Sequence, residues 1–344
     1  MMEAGVNYFG ITPDQERFVR SEPVFYRRGF GGDPPMRYPA DLYRSNYIGG
    51  PMFMDEPTML LSGDGNINTV LWYWSDFGAV IQKRVRAAYT NSRGRRGRGS
   101  DLGNINLGDM QLWMPDYPCW ETMRETIFYQ MEGGCNGVVH EGRYQLSQFA
   151  DGMTRWTGVE RDYTPAEYFR YEYALLRGGT RPFDKFWGTS IYGQADPKIT
   201  PLAVTMAYDM GARYVWYWTS DHDHHMPWPE QLELTRQIKA HAAKYPRRSI
   251  FDPLPTRDLA IIIPYGYFLT LAHGGESPHS TLWWVRELDK DRRNKSSQRY
   301  KRVMKRAHKA VIDASDRDED FDITVDDGRE ITEYRRIVRI SDEE

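Results

Sequence analysis

The feature that most restricts the fold is a repeated alternation, through about residue 245, of short apolar runs with helix-length amphipathic segments. Runs at 6–11, 51–55, 105–112, 137–141, 186–192 and 212–219 read as strands. Helix-length segments at 69–89, 119–133, 165–177 and 201–210 lie between most of them, and another at 229–243 follows the last. Thr164-Pro165 and Thr200-Pro201 suit helix openings, because the hydroxyl caps free N–H groups and proline presets the first helical φ. Strand, helix, strand repeated predicts parallel strands joined by right-handed crossovers. Residues 12–50, rich in Pro, Gly, Arg and Tyr, are expected to form an extended loop with little helix.

A change of composition at Tyr245-Pro246-Arg247-Arg248-Ser249 and Asp252-Pro253-Leu254-Pro255 reads as a linker between units 1–250 and 251–344. In the second unit, 258–264 is a fully apolar run suited to a buried parallel strand. The helix expected over 298–314 places Val303, Met304, Ala307, Ala310, Val311 and Ala314 on one stripe, and 321–325 and 335–340 read as further strands.

Composition narrows the function classes. With 45 Lys+Arg against 48 Asp+Glu in 344 residues, the chain is neither a disordered tail nor a chromatin binder. No window approaches the roughly 18 consecutive apolar residues of a membrane helix. The start, Met1-Met2-Glu3-Ala4-Gly5, lacks the layout of a signal peptide, so the expectation is no membrane and a cytoplasmic location by default. Cys119 and Cys135 have no spacing for a disulfide framework or a zinc site. The arginine-rich stretch at 91–100 lacks interleaved aromatics and reads as a solvated loop rather than a nucleic-acid segment. Gly29-Phe-Gly-Gly32 lacks the flanking strand and helix of a phosphate-binding loop, and no cofactor is expected. The 11 Trp, 23 Tyr and 14 Phe exceed what a core of this size requires, and the surplus is expected to line a concave site.

Gly50-Pro-Met-Phe-Met-Asp55-Glu56-Pro57 is an apolar strand ending in a carboxylate before proline. At the C-terminal mouth of a parallel barrel such a carboxylate points at substrate. The segment resembles the Asn-Glu-Pro end of the fourth barrel strand in clan A glycoside hydrolases, where the Glu is the acid/base. On that resemblance 6–11 is strand three and 212–219 is strand eight. The fold class is then α/β, an incomplete TIM (β/α)8-type barrel of strands three to eight with its first two βα units absent. Leu259-Ala-Ile-Ile-Ile-Pro-Tyr265, Leu282-Trp-Trp-Val285, Phe321-Asp-Ile-Thr-Val-Asp326 and Glu333-Tyr-Arg-Arg-Ile-Val338 resemble an abbreviated form of the flavodoxin-like trimerisation domain of family 42 β-galactosidases. This implies a carbohydrate substrate and a homo-oligomer formed through the C-terminal unit.

Glycosidases need two carboxyl groups, about 5 to 5.5 Å apart for retention or about 6.5 to 9.5 Å for inversion. One of them must stay protonated near neutral pH. Glu56 is the candidate acid, the plain alternative being a surface carboxylate before Pro57. Asp55 stands where the family has an Asn that binds the sugar 2-hydroxyl. The family's nucleophile Glu ends strand seven, but here Phe186-Trp-Gly-Thr-Ser-Ile-Tyr-Gly-Gln194 offers Tyr192 and Gln194, and an amide cannot form a glycosyl ester. A substitute is Glu141 in Gly137-Val-Val-His140-Glu141-Gly-Arg143, with Arg143 holding it ionised; the alternative is a structural ion pair at the rim.

The last strand ends Trp216-Tyr-Trp218-Thr-Ser220-Asp221-His222-Asp223-His224-His225. A two-His, one-carboxylate metal site is one reading. Sugar contact through Asp221 and His222 is preferred, because metal sites draw ligands from separated segments. Trp216 and Trp218 share one face, suited to stacking on a pyranose or to packing in the core. Two functions follow: hydrolysis of a β-linked glycoside by paired carboxylates, or a non-catalytic sugar-binding or scaffold descendant of the same barrel.

Overall fold

The computed structural model describes residues 1–28, 52–53, 110–112, 127–132, 137–140, 142–218, 225–247, 255–264, 283–285 and 290–341. The chain is a mixed α/β structure with small sheets, and no closed barrel is formed among the described residues. The elements are β1 (Tyr8–Ile11), α1 (Glu16–Val19), β2 (Phe25–Arg28), β3 (Met52–Phe53), β4 (Met110–Leu112), α2 (Ile127–Glu132), β5 (Gly137–His140), α3 (Leu146–Thr157) and α4 (Pro165–Thr180). They continue with β6 (Phe186–Ile191), α5 (Thr200–Met210), β7 (Tyr214–Tyr217), α6 (Trp228–Lys244), β8 (Arg257–Pro264), β9 (Trp283–Val285), α7 (Lys290–Asp316), β10 (Phe321–Asp326) and β11 (Tyr334–Arg339).

The first sheet has the order β3-β5-β6-β7, all parallel. Strand order follows chain order, and the helices between strands pack on one face. Trp187 of β6 meets Tyr173 of α4 at 5.4 Å between ring centroids, and Thr235 of α6 donates to the Tyr217 hydroxyl of β7 at 3.1 Å. This is single winding; a doubly wound sheet reverses direction and carries helices on both faces.

Several expectations about strand placement are overturned. Residues 6–11 were expected beside 51–55, but β1 pairs in parallel with β2. Its Tyr8 ring lies 5.9 Å from Tyr214 on β7, at the opposite side of the sheet. The loop expected over 12–50 therefore contains a helical turn and a strand. The run at 105–112 was expected between 51–55 and 137–141, yet β3 pairs directly with β5, and β4 pairs antiparallel with β9. An apolar run reports burial and not a partner, which is why its place was misread. The expected helix 69–89 lies outside the described residues.

Helix starts divide instructively. Thr164 caps α4 in a full capping box: its hydroxyl accepts from the Glu167 N–H at 3.2 Å, and Glu167 accepts from the Thr164 N–H at 2.8 Å. Thr200 is already helical and does not cap α5; its hydroxyl donates back to Pro197 O at 3.2 Å. Helix α3 was not anticipated, although Leu146, Phe149, Ala150 and Met153 carry its i, i+3, i+4, i+7 spacing.

The second sheet has the order β10-β8-β11, all parallel, with β8 at its centre. Leu259, Ile261 and Ile263 point into the same core as α4, α5 and the first sheet, so one hydrophobic core runs through both sheets. On the other face Ala260 and Ile262 are covered by Ile331 and Tyr334. Ile331 lies in the seven-residue connection 327–333, too short for a helical crossover but able to span about 25 Å when extended. It returns across the sheet as a strap held by one isoleucine.

Helix α4 also covers the outer edge of β10. Asp320 O accepts from Leu259 N, so the carbonyls of Phe321 and Ile323 point away from β8. Phe321 O accepts from Arg177 at 3.0 Å, and a Cβ added at Gly178 would lie 2.0 Å from Ile323 O. The helix thus protects an edge that would otherwise invite another strand.

His308 of α7 is 1% exposed, with Nε2 2.9 Å from the Tyr171 hydroxyl. Burial pushes its pKa down to about 3 from an ordinary 6.5. Below pH 6.5 the unfolded chain takes a proton here that the folded chain refuses, so stability falls with falling pH down to about 3. The slope is on the order of 1.4 kcal/mol per pH unit within that window. Urea midpoints measured across pH 7 to 4 should fall more steeply for the parent than for His308→Gln. Identical pH profiles would remove the assignment.

Candidate functional site

The candidate site is the C-terminal end of β5, β6 and β7, where the strands run on into laced loops. Gly142 N–H donates to Ser190 Oγ at 3.1 Å, and Tyr192 N–H donates to Gly142 O at 3.0 Å. A Cβ at Gly142 would sit 1.8 Å from Ser190 O, so only glycine lets the chain leave β5 this close to β6. Asp196 N–H donates to Tyr144 O at 2.9 Å, Gln145 Nε2 to Gln194 O at 3.1 Å, and Trp218 N–H to Ile191 O at 3.0 Å.

Strand alternation separates the side chains at this end. Trp187, Thr189, Ile191 and Tyr217 face the helices. Behind them the Tyr144 hydroxyl contacts Thr189 Oγ1 and lies 3.0 Å from the Tyr173 hydroxyl, and burial pushes the Tyr144 phenol well above its ordinary pKa. Ser190, Tyr192, Trp216 and Trp218 fall on the other face, since Ser190 pairs with Trp216. There the Tyr192 ring stacks on Trp218, with centroids 5.1 Å apart and planes 8° from parallel. The Arg143 guanidinium lies 5.3 Å from the Tyr192 centroid, over its ring. The result is a layered Arg143–Tyr192–Trp218 stack joining the ends of three adjacent strands.

Of the sequence-selected residues, Arg143, Tyr192, Gln194 and Trp218 come together here, with Trp216 half-buried one step down β7. His140 ends β5 with its backbone opposite Thr189. Asp55, Glu56, Glu141, Asp221 and His222 lie outside the described residues, as does His224. Among the described residues no group of three His, Cys, Asp or Glu side chains is placed to hold a metal. Gln194 Oε1 is buried with no hydrogen-bond partner among the described residues, while the backbone of the same residue is pinned by Gln145.

Among the described residues the aromatic rings sit mainly in the core and not in an open cleft. Trp187 is 4% exposed and Tyr192 1% exposed. Tyr144, Phe149, Tyr168, Phe169 and Tyr173 form a continuous set of stacked and edge-on contacts between α4 and the first sheet. Ring count predicted the payload but not its side of the strand. Sequence reasoning passed over Gly142, Tyr144 and Ser190, which build the end of the site. Only Gly142 had a signal, as a glycine beside a carboxylate at a strand end. No family model matches the chain, and neither a curated protein nor a solved structure matches it.

Proposed function

We propose that the chain is a carbohydrate-active protein of barrel-type winding, related to clan A glycoside hydrolases, that binds a β-linked glycoside at the C-terminal ends of β5 to β7. The observation that carries this reading is the Arg143–Tyr192–Trp218 stack, on the face of the sheet away from the helices. Flat aromatic surface next to fixed polar groups suits a pyranose, which has both an apolar face and a hydroxyl edge. The single winding of β5, β6 and β7, and the approach of Tyr8 to Tyr214, support a barrel in which β1 adjoins β7.

In the catalytic form of the proposal, Glu56 is the general acid and Glu141 the second carboxylate, which lies two residues before Arg143 in sequence. Asp55 and His222 contribute hydroxyl contacts, and residues 251–344 carry a homo-oligomer contact. The second reading, sugar binding without hydrolysis, is favoured by Gln194, whose amide cannot form a covalent glycosyl intermediate. An assay with aryl β-glycosides separates the two. Hydrolysis lost by at least a thousandfold in Glu56→Gln and in Glu141→Gln, with sugar affinity retained, supports catalysis by the pair. Parent protein that binds sugar and releases no aglycone leaves the binding form.

A further inference from the structure

The C-terminal end of β7 carries a further tryptophan beyond the aromatic stack, at the start of α6. Met226 N–H donates to Trp218 O at 3.0 Å, so the chain returns to the end of β7 just before the helix opens. From there α6 runs back along the strand. Thr235 donates to the hydroxyl of Tyr217, the last residue of β7, at 3.1 Å, and Arg247, beyond the helix, donates to Ala212 O at 2.5 Å, just before the strand starts. Trp228, the first residue of α6, precedes Thr235 by seven residues and therefore stands about 10 Å farther along the helix axis, past the strand end. Summed bond lengths across the Met226–Trp218 hydrogen bond place the Cα of Trp228 within about 14 Å of that of Trp218.

A single exposed aromatic residue needs no explanation. Trp228 differs in how firmly its backbone is held. It is 43% exposed, whereas Met226, two residues earlier, is 4% exposed and packs into the core. Pro227 is the N-cap of α6, with φ −56° and ψ 137°, and Pro229 follows Trp228, so a proline ring restricts the chain on each side. The buried Gln231 ties the turn down, its Nε2 donating to Met226 O at 2.7 Å and its N–H to Pro227 O at 3.1 Å. An indole on so stiff a turn gives up little further freedom when a ligand covers it, and that saving appears as affinity. Its flat apolar surface suits the apolar face of a pyranose, as the stack below it does.

We infer that Trp228 is an outer sugar platform, and that the ligand is a β-linked oligosaccharide running from the Arg143–Tyr192–Trp218 stack outward over the start of α6. The inference rests on the sugar-site reading and adds chain length to it. Calorimetric titration of the full chain with disaccharides and pentasaccharides of β-1,4-linked glucose, mannose, xylose and galactose tests it. In the series that binds, the parent should hold the pentasaccharide at least fivefold tighter than the disaccharide. Trp228→Ala should remove that gain and leave the disaccharide affinity unchanged, Trp228→Phe should keep most of the gain, and Trp218→Ala should weaken both lengths. Equal affinity for the two lengths in the parent, a gain retained in Trp228→Ala, or an equal loss at both lengths in that variant overturns the outer platform and leaves the sugar site standing. No binding of either length in any series overturns the sugar-site reading, and this inference with it.

Discussion

Gly178→Ala should destabilise the protein by about 3 kcal/mol, the upper end for overpacking, although the same change in an exposed helix ordinarily stabilises by about 1 kcal/mol. The reversal of sign follows from what the new methyl meets. It would lie 2.0 Å from Ile323 O and 2.6 Å from Ile323 C, both backbone atoms of an edge strand. No rotamer change relieves that contact, so α4 must move away from β10 or the strand must shift. Gly179→Ala should cost less, because its nearest neighbours, Ile127 Cγ2 at 2.9 Å and Phe128 N at 3.0 Å, stand farther off than the Ile323 backbone does from Gly178. Urea unfolding of both variants checks the order. Gly178→Ala equal to or more stable than the parent would mean that α4 does not cover the edge of β10.

Replacement of Arg177 by Met is the second large effect. Arg177 is 5% exposed and bridges two carboxylates, with Nε 2.5 Å from Asp322 Oδ1 and NH2 2.5 Å from Asp320 Oδ1. Burial opposes its charge, but Asp322 and Asp320 overcome that and raise its pKa above the ordinary value. For Asp320 burial acts upward, and the Arg177 and Arg257 charges outweigh it and hold the carboxyl low. Tyr334 donates to Asp322 Oδ2 at 2.8 Å, and Arg181 NH1 stands 3.9 Å from the same oxygen.

Removal of Arg177 leaves Asp322, 0% exposed, with Tyr334 and Arg181 as its side-chain partners among the described residues. Breaking a buried pair from one side costs about 3 to 5 kcal/mol, and the retained Tyr334 and Arg181 contacts place this case near the lower figure. Arg177→Met with Asp322→Leu should recover part of the loss but not all of it, since the stranded carboxylate is gone while the buried Arg181 loses the carboxylate 3.9 Å away. The check is a double-mutant cycle by urea denaturation. A loss under about 1 kcal/mol for Arg177→Met would show that the network does not join α4 to the second sheet.

Local signals were legible where one residue decides the outcome. Thr164 and Glu167 announce the start of α4, and the run 258–264 announces the central strand β8. The stripe on α7 also stands, with Val303, Ala307, Val311 and Ala314 all buried. What could not be read is pairing between distant segments. The partner of β1, the antiparallel ladder of β4 with β9, and the coverage of β10 by α4 each depend on contacts across long stretches of chain. Gly178-Gly179 looks like a helix end in sequence, yet the helix continues through Thr180 because close packing on β10 and α2 compensates for weak propensity.

The candidate site was legible in the same uneven way. Alternation placed Trp216 and Trp218 on one face of the last strand, but it could not say that Tyr192 would be buried beneath Trp218 or that Arg143 would lie on the Tyr192 ring. Those contacts depend on the register β5-β6-β7, which Gly142 and Gly188 permit by close backbone approach. Gln194 was noted for the carboxylate it lacks. In the structure it is distinguished by a buried amide oxygen with no donor among the described residues.

Calorimetric titration of the parent and of Trp218→Ala with a panel of β-linked disaccharides tests the proposed function most directly. Saturable binding of at least one disaccharide by the parent, weakened at least tenfold in Trp218→Ala with the fold intact by circular dichroism, is the predicted result. No binding by the folded parent across the panel, or equal affinity in the two proteins, would contradict a sugar site at the ends of β5 to β7.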